Sequence, residues 1–466
     1  MTNVSPWHRD RDLPIHYYLL LPHMSDVQVL LVPDDDSWTL PRLTPEVLDF
    51  RRVHHINEQV RNQYGLESVV QRCVAHRYAP DRGLQYKVYA LENRSSVPQL
   101  PDGGKWVGAE ELDSIPLVVP EHREFIHQWL QETAAGAVPE LRAPWTSMGW
   151  FDEALAWIEA QLEQLHIEAL GSLMQERSWA LSCILRMETS IGDVYFKAVP
   201  PFMAQEAVVI REISRQYPEL TPPPFATDDE RGWTLMPDFG GDSLMLTPDI
   251  SRLEEASRLF ARMQVEQVEH VDDWLARGVP DRCLHRMVQL IDPLIMMSTQ
   301  LLAGAPPGLS EEEVEGLHAL PMKMKLLCAK LASYDVPHTL IHGDLGGNIL
   351  VNGDRYIFFD WTDVCISHPF FEMATIIDTV LDASIIQDQT DTRTRLRDAY
   401  LEPWTAYEPM ERLVEAFELT KALGSLHQAM SYMWILMNSA EDARWELESG
   451  LLLWLRSLLP TQPQRP

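Results

Sequence analysis

One segment late in the chain, residues 340–361, limits what the protein can fold into more than any other feature. It reads LIHGDLGGNILVNGDRYIFFDW. Asn352 and Gly353 separate the apolar runs 349–351 and 356–359. An Asn-Gly pair in that setting predicts a β-hairpin, because the tight turn needs positive φ at both central residues. The segment is therefore expected to be a loop that leads into a hairpin of two short strands.

Three oxygen-bearing side chains flank this hairpin: Asp344 and Asn348 in the loop before it, and Asp360 at its end. Phosphoryl transfer needs one carboxylate that orients the attacking hydroxyl, and an amide and a second carboxylate that hold magnesium against the phosphates. Asp344 suits the first role, and Asn348 and Asp360 suit the second. Each of the three alone could instead cap a turn or end a strand, but together they fit phosphoryl transfer better.

The residues 342–350, HGDLGGNIL, followed by Phe359-Asp360-Trp361, resemble the catalytic and metal-binding segment of the aminoglycoside phosphotransferase and choline kinase superfamily. The usual pattern there is HGDLxxxNIL followed by IDW, so one residue is missing here between Asp344 and Asn348. The resemblance covers about residues 143–455. It implies a two-lobed protein-kinase-like fold of the α+β class, with a small β-rich N-lobe and a mostly helical C-lobe. It also implies ATP or GTP as the phosphate donor, and Mg²⁺.

The same resemblance implies roles for residues upstream. Lys197 ends a predicted strand and would contact the phosphates, and Glu206 on the following helix would be its ion-pair partner, with Glu212 as the second choice. Met236 lies in the segment 234–238, whose backbone would hold the adenine. A lone strand lysine is usually a solvated edge residue, but the order Lys, Glu, Asp, Asn, Asp matches the template.

Length and linkers suggest where the domains divide. A chain of 466 residues is too long for one ordinary core, which favours two or three domains. Residues 131–147 read as a linker rich in Ala, Gly and Pro. We expect a first domain over 1–140 and a kinase-like domain over 143–460, with its N-lobe at about 165–240 and its C-lobe at about 241–460.

The first domain shows strands around one helix, which indicates a small α/β domain. Trp38–Pro41, the helix ending at Gly65-Leu66, and Trp106-Val107 before a Glu-Glu-Leu run resemble a Nudix domain. In that family several carboxylates of the helix bind magnesium. The aligned positions here hold mostly amides, which are poor magnesium ligands: Glu58, Gln59, Asn62 and Gln63. We therefore expect a Nudix-like domain without hydrolase activity.

Composition narrows the partners. The formal net charge of −31 disfavours nucleic acid and anionic membranes and favours a cationic small-molecule acceptor that carries a hydroxyl group. Acidic residues of the C-lobe, such as Asp363, Glu372 and Asp378, would meet that acceptor, although each of the three could equally cap a helix or face solvent. Five scattered cysteines, with no signal pattern and no long apolar run, favour a cytoplasmic protein without disulfides or zinc.

The shortened loop and the altered first domain leave a second interpretation open. In it the protein is a pseudokinase, a module that binds a nucleotide or a partner without turnover. The segment 178–182 is where kinases often cover the phosphates with GxGxxG, and it contains no glycine. Members of the aminoglycoside-type families often lack it as well, so this feature does not separate the two interpretations.

Overall fold

The computed structural model describes residues 14–79, 84–96, 100, 102–136, 138–246, 249–304, 307–373, 377 and 389–460. Its elements form an α+β protein with a β-rich part and a helical part. The strands are β1 (Ile15–Leu20), β2 (Val29–Asp34), β3 (Ser37–Thr39), β4 (Arg42–Leu43), β5 (Ser68–Ala79), β6 (Leu84–Asn93), β7 (Lys105–Val107), β8 (Met174–Trp179), β9 (Ser182–Thr189), β10 (Gly192–Ala198), β11 (Ala226–Asp228), β12 (Trp233–Pro237), β13 (Asp242–Ser243), β14 (Thr339–Ile341), β15 (Ile349–Asn352), β16 (Arg355–Phe358) and β17 (Cys365–Ser367).

The helices of the described residues are α1 (His54–Tyr64), α2 (Ala109–Leu112), α3 (His122–Ala135), α4 (Trp150–Gln164), α5 (Gln205–Gln216), α6 (Ile250–Gln267), α7 (Val271–Ala276), α8 (Leu284–Leu302), α9 (Glu311–His318), α10 (Pro321–Leu331), α11 (Gln389–Leu401), α12 (Met410–Met437) and α13 (Trp445–Ser457). Backbone contacts divide the chain into two compact units. Unit 1 is the chain up to Pro200 with Thr234–Pro237 and Asn438–Glu446. Unit 2 is Pro201–Trp233, Asp238–Met437 and the chain from Leu447.

Unit 1 begins with a four-stranded mixed sheet in the order β4-β1-β6-β5, in which β1 and β6 are parallel. Strand β1 is buried on both faces, and its alternating side chains enter two different cores, as the period of a strand requires. Tyr17 and Leu19 pack in the core that contains Ile56 and Val60 of α1. Tyr18 and Leu20 pack in the core that contains Trp129 of α3. The sheet is thus the middle layer between α1 and α3.

Unit 1 also contains the strands β12-β10-β9-β8 of a second sheet, in which β9 pairs antiparallel with both β8 and β10. It is joined to the first through the buried side chain of Gln175 on β8. The Gln175 amide oxygen accepts from the Val70 N–H at 2.8 Å, and its NH₂ group donates to the Val70 carbonyl at 2.7 Å. These bonds fall next to a register irregularity of β5, where the ladder to β6 skips Gln71. Because β5 is the edge strand of the first sheet, the Gln175 amide satisfies backbone groups at that edge.

Unit 2 is mostly helical around two small β structures. A three-stranded sheet runs β13-β15-β16, and β14 pairs with β17. In its core the ring of Phe260 contacts those of Phe358 and Trp361. Asp249 caps α6 as its sequence position predicts, with its carboxylate accepting from the Arg252 N–H at 3.2 Å.

The predicted strands of the first domain and the strands β9 and β10 are confirmed within a few residues. The helix expected before Gly65-Leu66 is α1, which begins at His54. Asp49 binds the Arg51 backbone N–H and guanidinium, which holds the residues before this helix in a turn. None of the helices in the described ranges has the length and hydrophobicity that a bilayer crossing requires.

Candidate active site

The loop that carries the first predicted site residues is held by one buried carboxylate. Glu372 is 3% exposed, and its side chain accepts from the backbone N–H groups of His342 at 2.7 Å, Gly343 at 3.1 Å and Leu345 at 3.3 Å. Burial raises the pKa of Glu372 to about 7, although these three N–H groups act in the opposite direction. Glu372 thus fixes the shape of the loop, and the expectation that it meets a cationic acceptor is wrong, because it is buried and engaged with backbone.

His342 holds the loop from the other side. Its Nδ1 accepts from the Asp344 N–H at 3.4 Å, and its Nε2 lies 2.9 Å from the Phe359 carbonyl oxygen. This arrangement assigns the ring proton to Nε2, which donates to the carbonyl. The ring also packs against Trp361, with 4.7 Å between centroids. His342 therefore connects the loop to the end of the hairpin, and its position agrees with a bracing role.

Gly343 is required by a close approach of two backbones. Its φ is +86°, and a Cβ placed there would lie 2.4 Å from the Asp363 carbonyl oxygen. A side chain would therefore push the loop away from the residues that follow Asp360. On the opposite side the Gly343 carbonyl accepts from the Gln428 side-chain amide at 2.8 Å, so α12 also holds the loop.

Asp344 and Asn348 lie together although the loop between them is short. Residues 345–347 form one turn of 3₁₀ helix, and the Asn348 N–H donates to the Leu345 carbonyl at 2.9 Å. The Asn348 NH₂ group donates to the Asp344 carbonyl at 2.7 Å and lies 3.5 Å from its carboxylate. With the nitrogen turned toward Asp344, the amide oxygen of Asn348 is the atom left to serve as a ligand.

The hairpin forms as expected, but its turn is displaced by one residue. Asn352 pairs with Arg355, so the turn residues are Gly353 and Asp354 rather than Asn352 and Gly353. Gly353 has a φ of +64°, and the Asn352 side chain donates to the Phe239 carbonyl at 3.3 Å. The asparagine therefore ends the strand and holds the neighbouring segment.

Asp360 follows the hairpin in an uncommon backbone conformation. Its φ is +64°, in the left-handed region that Asp tolerates better than most residues but still at some cost. Its carboxylate accepts from the Thr362 hydroxyl at 2.6 Å. Strained positions of this kind concentrate at functional sites, where the surrounding structure holds them.

Three acids surround Asp344. Part of Asp344 is accessible to solvent, yet desolvation raises its pKa to about 8, and the negative charges of Asp363, Asp360 and Glu372 act in the same direction. Because Asp344 is partly exposed, water screens these effects. A carboxyl group with a pKa of about 8 is mostly protonated at neutral pH, so it accepts a proton only once it has been ionised, and a cation bound nearby would favour that ionised form.

The Ser431 hydroxyl connects the Asp363 carboxylate to the guanidinium of Arg282. The Ser431 hydroxyl lies 3.3 Å from the Asp363 carboxylate, and the buried guanidinium of Arg282 donates to the same hydroxyl at 2.8 Å. Asp363 is half-buried beside Asp344, so of the three acids proposed to meet an acceptor it remains a candidate. Asp378 lies outside the described residues.

The donor set fits magnesium bound together with phosphates. Among the described residues, no group of three or more His, Cys, Asp or Glu side chains is arranged to hold a metal ion. Asp360 and Asn348 supply one carboxylate and one amide oxygen. Magnesium is usually held by one or two protein carboxylates and completes its six ligands with phosphate oxygens and water. Two oxygen ligands are therefore sufficient for an ion that arrives with a nucleotide.

The candidate residues upstream of the loop lie in two different units. Lys197 of unit 1 is buried on β10, opposite Ile184 of β9, and Met236 is half-buried on β12. Glu206 of unit 2 is buried in the first turn of α5. Glu212 instead lies 3.0 Å from Arg215 and 3.4 Å from Arg211 of its own helix. Its engagement there favours Glu206 over Glu212 as the partner of Lys197, and that pairing stays a prediction.

Sequence reasoning missed several residues that shape the site. Gln428, Ser431 and Arg282 lie far along the chain from the loop, and no local pattern marks them. Asp363 was among the acids predicted to meet an acceptor, but its effect on Asp344 was not predicted. For Glu372 the residue was noticed but not its role, because burial depends on the packing of the whole unit.

The part of the chain that carries this site is similar to proteins of a known family. Residues 203–413 match the model of the phosphotransferase enzyme family, and the matched range contains Asp344, Asn348, Asp360 and Glu372. Similar solved structures include a macrolide 2′-phosphotransferase from Brachybacterium faecium, with 14% identity, a TM-score of 0.44, and 67% of this chain and 100% of that chain covered.

Two further structures are a choline/ethanolamine kinase family protein from Mesorhizobium loti and an ethanolamine kinase from Plasmodium vivax. The first has 17% identity, a TM-score of 0.46, and covers 67% of this chain and 95% of that chain. The second has 11% identity, a TM-score of 0.43, and covers 62% of this chain and 82% of that chain. No curated protein matches this chain.

Proposed function

We propose that the protein transfers the γ-phosphate of ATP or GTP to a hydroxyl group of a small molecule. The observation that carries this proposal is the convergence of Asp344, Asn348 and Asp360 in one loop-and-hairpin structure that Glu372 and His342 hold in place. The match of residues 203–413 to the phosphotransferase enzyme family supports it. We place these parts in a two-lobed kinase-like fold.

In this mechanism Asp344 orients the acceptor hydroxyl and takes its proton as the new phosphate ester forms. Asn348 and Asp360 would hold Mg²⁺, which when bound neutralises negative charge on the phosphates. Lys197, with Glu206 as its partner, would position the phosphates, and the backbone around Met236 would hold the base. The loop does not have to rearrange during the reaction, because Glu372 fixes its backbone beforehand.

We infer that the acceptor is cationic and that the protein acts in the cytoplasm. The acids around Asp344 concentrate negative charge beside the reacting hydroxyl, and the whole chain has a formal charge of −31. All five cysteines are free and buried, as suits a reducing compartment. The candidate acceptors are an aminoglycoside, another antibiotic, a sugar, an amino alcohol or another metabolite.

The first test is thermal stability with magnesium and ATP or GTP, comparing wild type with Asp360→Asn. A ligand that binds only the folded state stabilises it by about 2.7 kcal/mol at a hundredfold excess over its Kd. We expect a magnesium-dependent rise in melting temperature that Asp360→Asn loses. A panel of hydroxyl compounds would then be screened for ADP or GDP release, with Asp344→Asn as the inactive control. No rise in either protein would contradict the proposal.

A pseudokinase is the second candidate, and the short loop favours it. Only three residues separate Asp344 from Asn348, and the Asn348 NH₂ group is bound to the Asp344 backbone. If the short loop impairs catalysis, inserting one residue after Leu345 raises turnover strongly. If nucleotide binds but no acceptor in the panel is phosphorylated by either form, the pseudokinase becomes the better description.

For the first part of unit 1 we propose a Nudix-like domain without hydrolase activity. Its mixed sheet between α1 and α3 supports this, as does the polar outer face of α1, where Glu58, Asn62 and Gln63 are exposed. One carboxylate among amides is a poor magnesium site. Magnesium-dependent hydrolysis of nucleoside diphosphate derivatives that persists in Asp344→Asn and is lost in Glu58→Gln would argue against the proposal.

A further inference from the structure

The turn between β8 and β9 lies at the Lys197 end of its sheet. Lys197 is opposite Ile184, and Trp179 pairs with Ser182, so the two-residue turn is Ala180-Leu181. Ile184 is three positions beyond Leu181, which is about 10 Å at the rise of a strand. A displacement of this turn would therefore change the surroundings of Lys197.

The tip of this turn is bound by a carboxylate from far along the chain. Glu446 accepts from the Ala180 N–H at 2.7 Å, and 266 positions separate the two residues. The Trp145 indole also donates to the Trp179 carbonyl at 3.1 Å, and the Arg51 guanidinium lies over the Trp179 ring at 5.6 Å from its centroid. Residues from three distant parts of unit 1 thus hold this turn in one place.

The segment that carries Glu446 is itself anchored. Asp442 lies 2.9 Å from Arg142 and 3.2 Å from Arg72, and both arginines also bind Glu132 at 2.7 Å. These four side chains are largely buried, so their ion pairs are less screened than pairs at an open surface. The cluster fixes residues 438–446 against the first part of unit 1.

A buried lysine provides the counter-charge for Glu446. Lys87 is 5% exposed, and its ammonium lies 4.6 Å from the centroid of Phe50 and 5.2 Å from that of Trp445. Burial lowers the pKa of Lys87 and raises that of Glu446 to about 7, while the attraction between the two opposes both shifts. Lys87 therefore stabilises the charged form of Glu446, whose carboxylate binds the Ala180 N–H.

We infer that Glu446 is a positioning residue for phosphoryl transfer, which holds the β8–β9 turn through the Ala180 N–H so that the phosphates beside Lys197 are bound in one place. This turn contains no glycine, and its backbone is held by the bond from Ala180 to the Glu446 carboxylate, which we call the clamp. The inference rests on the proposed function, since it assigns the phosphates to the Lys197 end of the sheet.

The test uses the full chain and the affinity for magnesium and AMP-PNP, measured by calorimetry. Glu446→Ala removes the acceptor, and we expect Kd to rise about tenfold, as for a lost hydrogen bond to a charged group. Glu446→Gln keeps an acceptor without the charge, and we expect a rise of about twofold. Ala180→Pro removes the donor and leaves Glu446 and Lys87 intact, so it is expected to match Glu446→Ala. Glu448→Ala on the same helix is the control.

The outcomes separate this inference from the proposed function. If wild type does not bind the nucleotide, the proposed function fails, and amide hydrogen exchange at Ala180 still tests the clamp: exchange should be slow in wild type and fast in Glu446→Ala. If wild type binds and Glu446→Ala and Ala180→Pro bind equally well, the inference is wrong. Equal losses in Glu446→Gln and Glu446→Ala would also overturn it, because the charge beside Lys87 would then matter and not the bond.

Discussion

Replacing Asp344 by Asn should stabilise the protein in the absence of nucleotide. Desolvation, with the charges of Asp363, Asp360 and Glu372, raises the pKa of Asp344 from 3.8 to about 8. At neutral pH the folded protein must therefore keep a proton on Asp344 or carry a repelled charge, and the unfolded chain has neither cost. Asn is neutral at every pH and keeps the shape of the side chain.

The magnitude follows from the shift and from exposure. A pKa that is higher by about 4 corresponds to about 5 kcal/mol at 1.36 kcal/mol per unit, which is an upper bound. Because Asp344 is partly exposed, solvent screening reduces this to about 1–2 kcal/mol. At about 2.1 cal/mol/K of unfolding entropy per residue, we expect the melting temperature of a 466-residue chain to rise by about 1–2 °C.

The sign of the pH dependence is specific. The folded-state pKa of Asp344 lies above the unfolded value, so wild-type stability is fully present below about pH 4 and declines up to about pH 8. The advantage of Asp344→Asn should be absent near pH 4 and grow steadily up to pH 8. Calorimetry over this range measures it, with Asp354→Asn, an exposed residue of the hairpin turn, as the control. If Asp344→Asn is less stable than wild type, or if the difference in stability between them does not change with pH, the reasoning is refuted.

Three further substitutions test the packing that supports the site and unit 1. Gly343→Ala should cost about 1–3 kcal/mol of unfolding free energy, because its Cβ would meet the Asp363 carbonyl, whereas Gly353→Ala meets nothing within 4 Å and should cost less in the same denaturant titration. Glu372→Gln should cost about 1–3 kcal/mol and lower kcat, since an amide cannot accept from all three loop N–H groups; unchanged urea midpoints would contradict this. Gln175→Ala should lower the melting temperature of unit 1, because it leaves the Val70 N–H and carbonyl without this partner at a cost of about 1–3 kcal/mol; hydrogen exchange at Val70 locates the effect.

Local features of the fold could be predicted because their causes are local. The strand β10, the cap of α6 at Asp249 and the hairpin after Asn348 all follow from alternation, capping and turn chemistry within a few residues. Even here the hairpin turn shifted to Gly353 and Asp354. The Asn352 side chain instead binds the Phe239 carbonyl, a residue distant in sequence.

The candidate site divides in the same way. Asp344, Asn348 and Asp360 could be found because one short segment carries all three. Glu372 was assigned the wrong role, since its contact with the loop depends on how residues 29 and 30 positions apart are folded together. The contacts of Gln428 and Arg282 have still larger separations, and nothing in their own neighbourhoods distinguishes them from ordinary helix residues.

The side chain of Gln175 has a consequence for how this protein could have been assembled from, or divided into, independent modules. A primary amide carries the same donor and acceptor as a peptide group, so Gln175 extends the hydrogen bonding of a sheet built from residues before 100. A chain cut at the linker near residue 143 would leave that amide and the Val70 N–H and carbonyl without one another. The parts before and after this linker are therefore expected to be less stable as separate fragments than in one chain.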